Sequence, residues 1–256
     1  MWRAAQWEPN IPHDGQWMKP MNIERTSTLD HASASHNDAD ASTRKVRVWD
    51  LPTRVFHWSL AGLIALAWMT ADAGSAFLTV HVFCGTTVIG LVVFRVVWGF
   101  VGTRHALFVD FVRGPDTVRA YAKKLLSFRP PHHVGHNPLG GWMVLALMAF
   151  VVIVALSGMT IAKAGFVGPL APFFGGGLDD DFHEALTNGL LALIIGHVAG
   201  VVVHGLITRE NLLRAMVDGD KIVPQDSDAQ DIRSPGVVRL TIALAIAAGC
   251  VLYLLR

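Results

Sequence analysis

Five of the twelve histidines lie in or at the ends of long apolar segments, where an ionisable side chain is unusual. An ionisable group inside a bilayer is costly and usually functional. A neutral imidazole buried among helices is a natural ligand for haem iron. The sequence therefore offers five candidate ligands, which are His57, His81, His183, His197 and His204.

The spacing of these histidines tests the idea of haem ligation. His183 and His197 are 14 residues apart, which is about 21 Å along a helix. Over 14 residues a helix turns to within about 40° of a whole number of turns, so the two side chains point in similar directions. One helix thus presents two ligands on the same face at two depths. We expect His81 to lie at the same depth in the membrane as His183, and His57 at the same depth as His197. These two pairs would hold two stacked haems; the alternative is that the histidines are packing residues with hydrogen bonds inside the bundle.

The apolar segments indicate a membrane protein. The chain is 52% hydrophobic and 16% charged, against about 25% charged in soluble domains. Its net charge of +1 gives no reason to expect nucleic-acid binding. The sequence predicts an all-α fold: an integral-membrane four-helix haem-binding bundle plus a fifth C-terminal transmembrane helix. The segments that could cross about 30 Å of hydrocarbon are 55–71, 77–101, 141–162, 186–207 and 237–255.

The basic residues orient these segments, because cytoplasmic loops carry an excess of lysine and arginine. Basic residues precede the first segment and follow the second and fourth, whereas the opposite loops carry mainly acidic residues. We therefore expect a multi-pass protein of the bacterial inner membrane with a cytoplasmic N-terminus and a periplasmic C-terminus. The basic connector 103–136 would carry an amphipathic surface helix over 115–128. The fourth segment must extend into the cytoplasm for His197 to reach His57.

The polarity of the chain divides it into four regions. Residues 1–44 contain no apolar run and are expected to form a disordered polar tail. Residues 45–220 would form the dihaem membrane domain, 221–236 a linker, and 237–256 the fifth transmembrane helix. Cys84 and Cys250 are too few and too far apart for a disulfide framework or a CxxC site.

Several motifs occur in a fixed order along residues 46–220: RVFHW (54–58), HVFCG (81–85), GHNPLG (135–140), FHEALTNGLLALIIGHVAGVVVH (182–204) and RENLLRAM (209–216). This ordered set resembles the bacterial cytochrome b561 family and its relative, the b-type cytochrome subunit of nickel–iron hydrogenases. The resemblance implies two haem b groups, with His57/His197 and His81/His183 as axial ligands. The polar tail and the fifth segment depart from the family pattern.

Three further residues are candidates for cofactor contacts. Arg95 lies 14 residues after His81, near the depth of the inner haem, where it would pair with a haem propionate. The alternative is that it reaches the cytoplasmic interface. Arg54 would serve a propionate or anchor its segment by charge. His204 is expected at the interface, with a contact to a quinone or a propionate as the alternative.

The histidines of HHVGH (132–136) could bind a metal, but we discount them because they lead into GHNPLG.

The predicted function is electron transfer between a redox partner and the quinone pool, ubiquinone or menaquinone, through the two haems. The partner would be a hydrogenase subunit or a periplasmic c-type cytochrome, and an oligomer is possible. The outer loop 163–181 could dock that partner or be only a flexible connector. No catalytic residue is needed, so an electron-transfer subunit is favoured over an independent enzyme. One alternative is a stand-alone superoxide:quinone-type oxidoreductase. Another is a haem or metal-ion transporter, although transporters often show inverted repeats that are not found here.

Overall fold

The computed structural model describes residues 43–71, 73–163, 166–174 and 180–254, and most of them are helical. The predicted tail 1–44 lies outside the described residues except for its last two positions, Thr43 and Arg44, which belong to a strand. Residues 164–165 and 175–179 of the predicted outer loop lie outside them as well.

The long helices begin and end where the sequence supplies caps. Helix α1 (Leu51–Thr70) starts at Asp50, whose carboxylate accepts a hydrogen bond from the Thr53 amide at 2.6 Å. Helix α2 (Ser75–Val101) ends at Gly102. The connector then contains a 3₁₀ turn (Arg104–Ala106), α3 (Phe108–Phe111) and α4 (Pro115–Leu126). The remaining helices are α5 (Pro138–Gly158), α6 (Asp180–Thr208), α7 (Leu212–Asp218) and α8 (Val237–Leu254).

Within the described ranges, four helices are long and apolar enough to cross a membrane: α2, α5, α6 and α8. They correspond to the predicted segments 77–101, 141–162, 186–207 and 237–255. Helix α1 covers the predicted segment 55–71, but it is not among these four, since Arg54 and His57 interrupt its apolar character. A fold of membrane helices is thus confirmed, and the crossing of α1 stays a prediction.

The helices associate in pairs that share apolar clusters. Helix α1 packs on α2, and α5 on α6, with α5 also contacting α2. Val88 and Val92 on α2 meet Met148 and Val151 on α5, with Leu190 on α6. Helix α8 packs on the other side of α2, where Phe94 and Trp98 contact Ala243 and Ala247. A Cβ atom at Gly90 would collide with Val251, so glycine permits this close approach.

Two small sheets modify the predicted all-α class. Strand β1 (Thr43–Arg47) pairs antiparallel with β4 (Asp220–Pro224), and β2 (Ala162–Lys163) pairs with β3 (Phe166–Val167) in a hairpin. Most of β4 falls inside the predicted linker 221–236. The β1–β4 pairing buries Val46 and Val223 against Ala215 of α7. We call the end of the bundle that carries β1, β4 and α4 the basic end, and the end that carries β2 and β3 the hairpin end.

Candidate haem-binding site

The structure brings His81 and His183 together near the hairpin end. His81 lies in the second turn of α2 and His183 in the first turn of α6. Their ring centres are 6.2 Å apart, with the ring planes at 84°. A metal–imidazole nitrogen bond is about 2 Å long, so two imidazoles on opposite sides of one metal have ring centres about 6 Å apart. The spacing of this pair fits a shared iron.

Hydrogen bonds select which nitrogen of each ring is protonated. The Nδ1 atom of His81 lies 2.9 Å from the carbonyl oxygen of Ala67, which can only accept, so Nδ1 carries the proton. The Ser157 hydroxyl donates to the Val154 carbonyl at 2.8 Å and lies 2.8 Å from Nδ1 of His183. Ser157 must then accept a hydrogen bond from that Nδ1. Both rings therefore keep the Nε2 lone pair, the form required of an iron ligand.

Gly158 fixes the position of the His183 ring. A Cβ atom at Gly158 would lie 3.1 Å from Cε1 of His183, closer than ordinary van der Waals contact. The ring consequently packs against the end of α5, beside the Ser157 hydroxyl. By contrast, a Cβ at Gly85, one turn after His81, would meet no atom within 4 Å in the described structure. Small residues thus allow close packing on one side and leave room on the other.

His57 and His197 form the second predicted pair, nearer the basic end. They lie on α1 and α6 and are close enough for electrostatic interaction. The Nδ1 atom of His57 is enclosed, and no described group hydrogen-bonds to it. A Cβ at Gly196 or Gly200, on either side of His197, would meet nothing within 4 Å among the described atoms. The helix face around His197 therefore accommodates a group much larger than a methyl.

Helix α6 is long enough to serve both levels. It continues unbroken for 29 residues, about 43 Å, and so runs 11 residues beyond His197 to Thr208. This exceeds the roughly 30 Å of a hydrocarbon core. The requirement that the fourth segment extend past the membrane surface is met by the helix itself.

Arg95 is enclosed rather than directed to an aqueous interface. Its residue exposure is 2%, and its guanidinium carbon lies 5.3 Å and 5.6 Å from the ring centroids of Phe108 and Phe111. The alternative that Arg95 extends to the surface does not fit this burial, because the connector with Phe108 and Phe111 folds over it. Arg54 instead donates a hydrogen bond to the Val217 carbonyl at the end of α7, while its Nε atom has no described partner.

His204, expected at the interface, is buried at the basic end. It is 5% exposed, and its Nδ1 atom lies 3.1 Å from the Tyr121 hydroxyl of α4. The amphipathic helix predicted over 115–128 is confirmed as α4, and Tyr121 on its inner face covers His204. Burial, with Glu210 adding a smaller effect, raises the pKa of Tyr121 to about 12. The Tyr121 side chain therefore stays a neutral phenol.

A second group of polar residues extends from His204 toward the surface. One oxygen of Glu210 lies 2.8 Å from Nδ1 of His132, and the other accepts from Lys221 at 3.0 Å. Lys221 also donates to the His133 carbonyl at 3.0 Å. Burial would raise the pKa of Glu210, but the hydrogen bond from His132 and the charge of Lys221 outweigh it and lower that pKa. The motif RENLLRAM contains Glu210 but gave no indication of these partners.

The three histidines of HHVGH diverge to different surroundings. His132 contacts Glu210, and the His133 ring centre lies 5.4 Å from that of Tyr121. His136 lies with its ring centre 4.6 Å from those of both Trp49 and Phe111. Burial first, and then the charge of Arg95, lower the pKa of His136 to about 3, so its imidazole is neutral at physiological pH. Sequence reasoning discounted His136; its burial is visible only in three dimensions.

Comparison with known proteins places these features in a family. The family model described as prokaryotic cytochrome b561 matches residues 48–219. A probable Ni/Fe-hydrogenase B-type cytochrome subunit from Rhizobium leguminosarum bv. viciae is 22% identical over 245 residues, covering 81% of this chain and 100% of that protein. A protein of the same description from Rhodobacter capsulatus is 23% identical over 233 residues, covering 75% of this chain and 88% of that protein. No solved structure matches the chain.

The matched region contains both histidine pairs, Arg95 and His136, and three of the four membrane-type helices. It ends before β4 and α8. The paired imidazoles with free Nε2 atoms agree with the haem chemistry of the matching family. The chain belongs to the prokaryotic cytochrome b561 family and is a bacterial membrane protein that transfers electrons through haem b.

Proposed function

We propose that the chain binds two haem b groups and conducts electrons across the bacterial inner membrane between a periplasmic partner and the quinone pool. His81 and His183 would ligate the outer iron, and His57 and His197 the inner one. The observation that carries the proposal is the 6.2 Å spacing of the His81 and His183 rings, with the Nε2 atom free on each.

Bound haem iron supplies one-electron redox chemistry by alternating between its ferric and ferrous states. The protein tunes that chemistry through the partners of its histidines. Hydrogen bonds from Nδ1 of His81 and His183 to neutral oxygens raise the basicity of the outer ligands. At the inner pair, Nδ1 of His57 has no hydrogen-bond partner in the described part of the chain, so that ligand would be less basic. These environments support two haems with different midpoint potentials.

The proposed path follows helix α6. Its two histidines are about 21 Å apart along the helix axis, so the two haems would lie toward opposite faces of the membrane. The hairpin end would face the periplasm and the basic end the cytoplasm, because lysine and arginine concentrate at the basic end. With α1 counted as a crossing helix, the described part of the chain would have five membrane spans.

The names of the two relatives favour a nickel–iron hydrogenase as the periplasmic partner. A c-type cytochrome is the alternative. Phe173 and Phe174, in a 3₁₀ turn at the hairpin end, are 81% and 52% exposed and support docking there. On the other face, a quinone (ubiquinone or menaquinone) would exchange electrons with the inner haem, in the neighbourhood of His204.

The haem content of the purified protein tests the proposal. A pyridine haemochrome assay should give b-type haem at two per polypeptide, with low-spin spectra in the oxidised and reduced protein. One haem per chain, or a high-spin five-coordinate iron, would contradict the two ligand pairs. Quinone reduction by the purified chain with superoxide, in the absence of any partner protein, would favour the stand-alone oxidoreductase.

A further inference from the structure

Four parts of the bundle contribute a polar residue to the level of the inner histidine pair. His57 comes from α1, Arg95 from α2, His136 from the segment before α5, and His197 from α6. Three of these carry an enclosed polar atom that has no hydrogen-bond partner in the part of the chain that the structure describes: His57 Nδ1, Arg95 Nη1 and His136 Nδ1. Unpartnered buried polar atoms are rare in proteins and need an explanation.

Arg95 is the most demanding of these groups. A buried charge without a partner is strongly unfavourable. The carboxylate near it is Asp50, which already accepts from the Thr53 amide, the Trp98 indole and the Thr103 hydroxyl. Asp50 offsets the charge of Arg95 but leaves the Nη1 atom without an acceptor. A further anionic acceptor would satisfy this side chain.

His136 provides a second donor next to Arg95. Its ring is held by edge contact with Trp49 and by Phe111, the same ring on which the Arg95 guanidinium lies. The charge of Arg95 and the ring of His197 both act on His136, so both lie within electrostatic reach of it. A neutral imidazole protonated at Nδ1 donates one hydrogen bond. Arg95 and His136, which both contact the Phe111 ring, therefore offer two kinds of donor in one neighbourhood, one charged and one neutral.

We propose that Arg95 and His136 together bind one carboxylate of the inner haem, with Arg95 supplying charge and His136 a neutral hydrogen bond. A carboxylate accepts several hydrogen bonds and pairs well with arginine. The proposal rests on the proposed function, since it requires a haem between His57 and His197. Arg54 is a weaker candidate for the same carboxylate, because its guanidinium already donates to the Val217 carbonyl.

The test measures how fast each haem leaves the purified holoprotein when an excess of an apoglobin is present as acceptor. His136→Phe keeps an aromatic ring against Trp49 and Phe111 but removes the N–H donor. Arg95→Gln removes the charge. Each substitution should speed the loss of one haem about tenfold, the factor typical of losing a charge-assisted hydrogen bond. The other haem in the same molecule serves as the internal control.

Two further variants separate donor loss from general disturbance. His136→Asn places an amide N–H near the position of Nδ1 and should restore slow release. His132→Phe, at an exposed histidine bound to Glu210, should leave both rates unchanged. Equal acceleration of both haems in His136→Phe, or the same rate in His136→Asn as in His136→Phe, would overturn the proposal.

A spectroscopic measurement covers variants that accumulate poorly. Haem labelled with ¹³C at its carboxyl carbons should show redox-difference infrared carboxylate bands that shift in His136→Asn and Arg95→Lys relative to the natural protein. Unchanged bands in both variants would contradict the carboxylate site. A chain that contains no haem b would instead refute the proposed function, which distinguishes the two failures.

Discussion

At the scale of single residues, the partner of each Nδ1 atom decides what a histidine in this bundle can do. The Ala67 carbonyl and the Ser157 hydroxyl leave the Nε2 atoms of His81 and His183 free for a metal. The Tyr121 hydroxyl occupies Nδ1 of His204, which lies two turns beyond His197 on α6. His81 and His183 thus face each other, whereas His204 faces a tyrosine.

Substitution of the paired histidines should separate the two haems. His81→Ala and His183→Ala should each remove the same outer haem and leave the inner one intact, whereas His57→Ala and His197→Ala should remove the inner one. His204→Ala should keep both haems. Haem stoichiometry and a redox titration that resolves two components measure this. Loss of different components in His81→Ala and His183→Ala would show that these residues do not share an iron.

Substitution at Gly158 should affect the outer haem through the orientation of His183. Gly158→Ala would push on the ring by a few tenths of an ångström, and Gly158→Val by more, because a Cβ already lies 3.1 Å from Cε1. We expect near-normal outer haem content in the alanine variant and at least a twofold loss in the valine variant, with the inner haem unchanged. Equal loss of both haems would indicate a general packing defect instead.

At the scale of elements, two segments follow the family match: β4 pairs with β1 at the basic end, and α8 packs on α2. Strand β4 pairs with β1 across a separation of 173 residues, where Arg47 and Asp220 form an ion pair at 2.5 Å. Helix α8 then packs along α2, on the side away from α5 and α6. Both segments contact the rest of the bundle, β4 through β1 and Ala215, and α8 through Phe94 and Trp98.

The contact between α2 and α8 should depend on Gly90. A Cβ at this position would collide with Val251, so Gly90→Leu should separate the helices and cost about 1–3 kcal/mol, the usual range for overpacking. Thermal unfolding followed by the Soret band or by protease cleavage after α7 would measure the loss. Gly249→Leu is the matched control, because a Cβ there meets nothing within 4 Å among the described atoms.

The cluster around Glu210 should make the basic end sensitive to acid. The pKa of Glu210 is lowered below its usual 4.5, because the hydrogen bond from His132 and the charge of Lys221 outweigh the opposing effect of burial. A lowered pKa in the folded state means that the carboxylate contributes stability above its unfolded-state pKa and loses it as the pH falls through its folded-state pKa.

The melting temperature should therefore fall as the pH drops below 4.5, and Glu210→Gln should flatten that dependence while lowering stability at neutral pH. Asp218→Asn is the control, since it breaks only the exposed Arg214–Asp218 pair, for which little effect is expected. An identical pH profile in Glu210→Gln and the natural protein would show that this carboxylate does not contribute.

At the scale of the whole molecule, the distribution of charge and the apolar length of the helices predict how the bundle is oriented in the membrane. Helices α2 and α6 both run from the hairpin end to the basic end, so His81 of α2 and His183 of α6 lie toward the hairpin end, and His197 of α6 lies toward the basic end. Basic residues gather at one end of this bundle, as expected for the cytoplasmic side. The order of the two proposed haems would therefore follow from the orientation of the chain.

Reporter fusions should reveal that orientation. A reporter active only in the periplasm should be active when fused after Arg256 and inactive when fused after Arg129, because α5, α6 and α8 would separate the two sites by three crossings. A reporter active only in the cytoplasm serves as the complementary control. The reverse pattern would show that the chain has the opposite orientation in the membrane, and the outer and inner haems would then be exchanged.

The features that the sequence by itself determined are those that depend on local pattern. Apolar length predicted the membrane-type helices, and the amphipathic pattern of 115–128 predicted α4. The 14-residue spacing of His183 and His197 predicted two levels, because the pitch of a helix is the same wherever it forms. Those properties require no knowledge of what the chain meets elsewhere.

Only the tertiary structure decided the contacts that join distant segments. Three contacts bring together residues that are far apart in the chain. Strand β1 pairs with β4, Tyr121 contacts His204, and Arg95 interacts with His136. The residues concerned carry no local signal, since short strands and lone polar residues occur equally in loops. Their partners are set by the path of the folded chain, because burial and hydrogen bonding act between whatever groups that path makes neighbours.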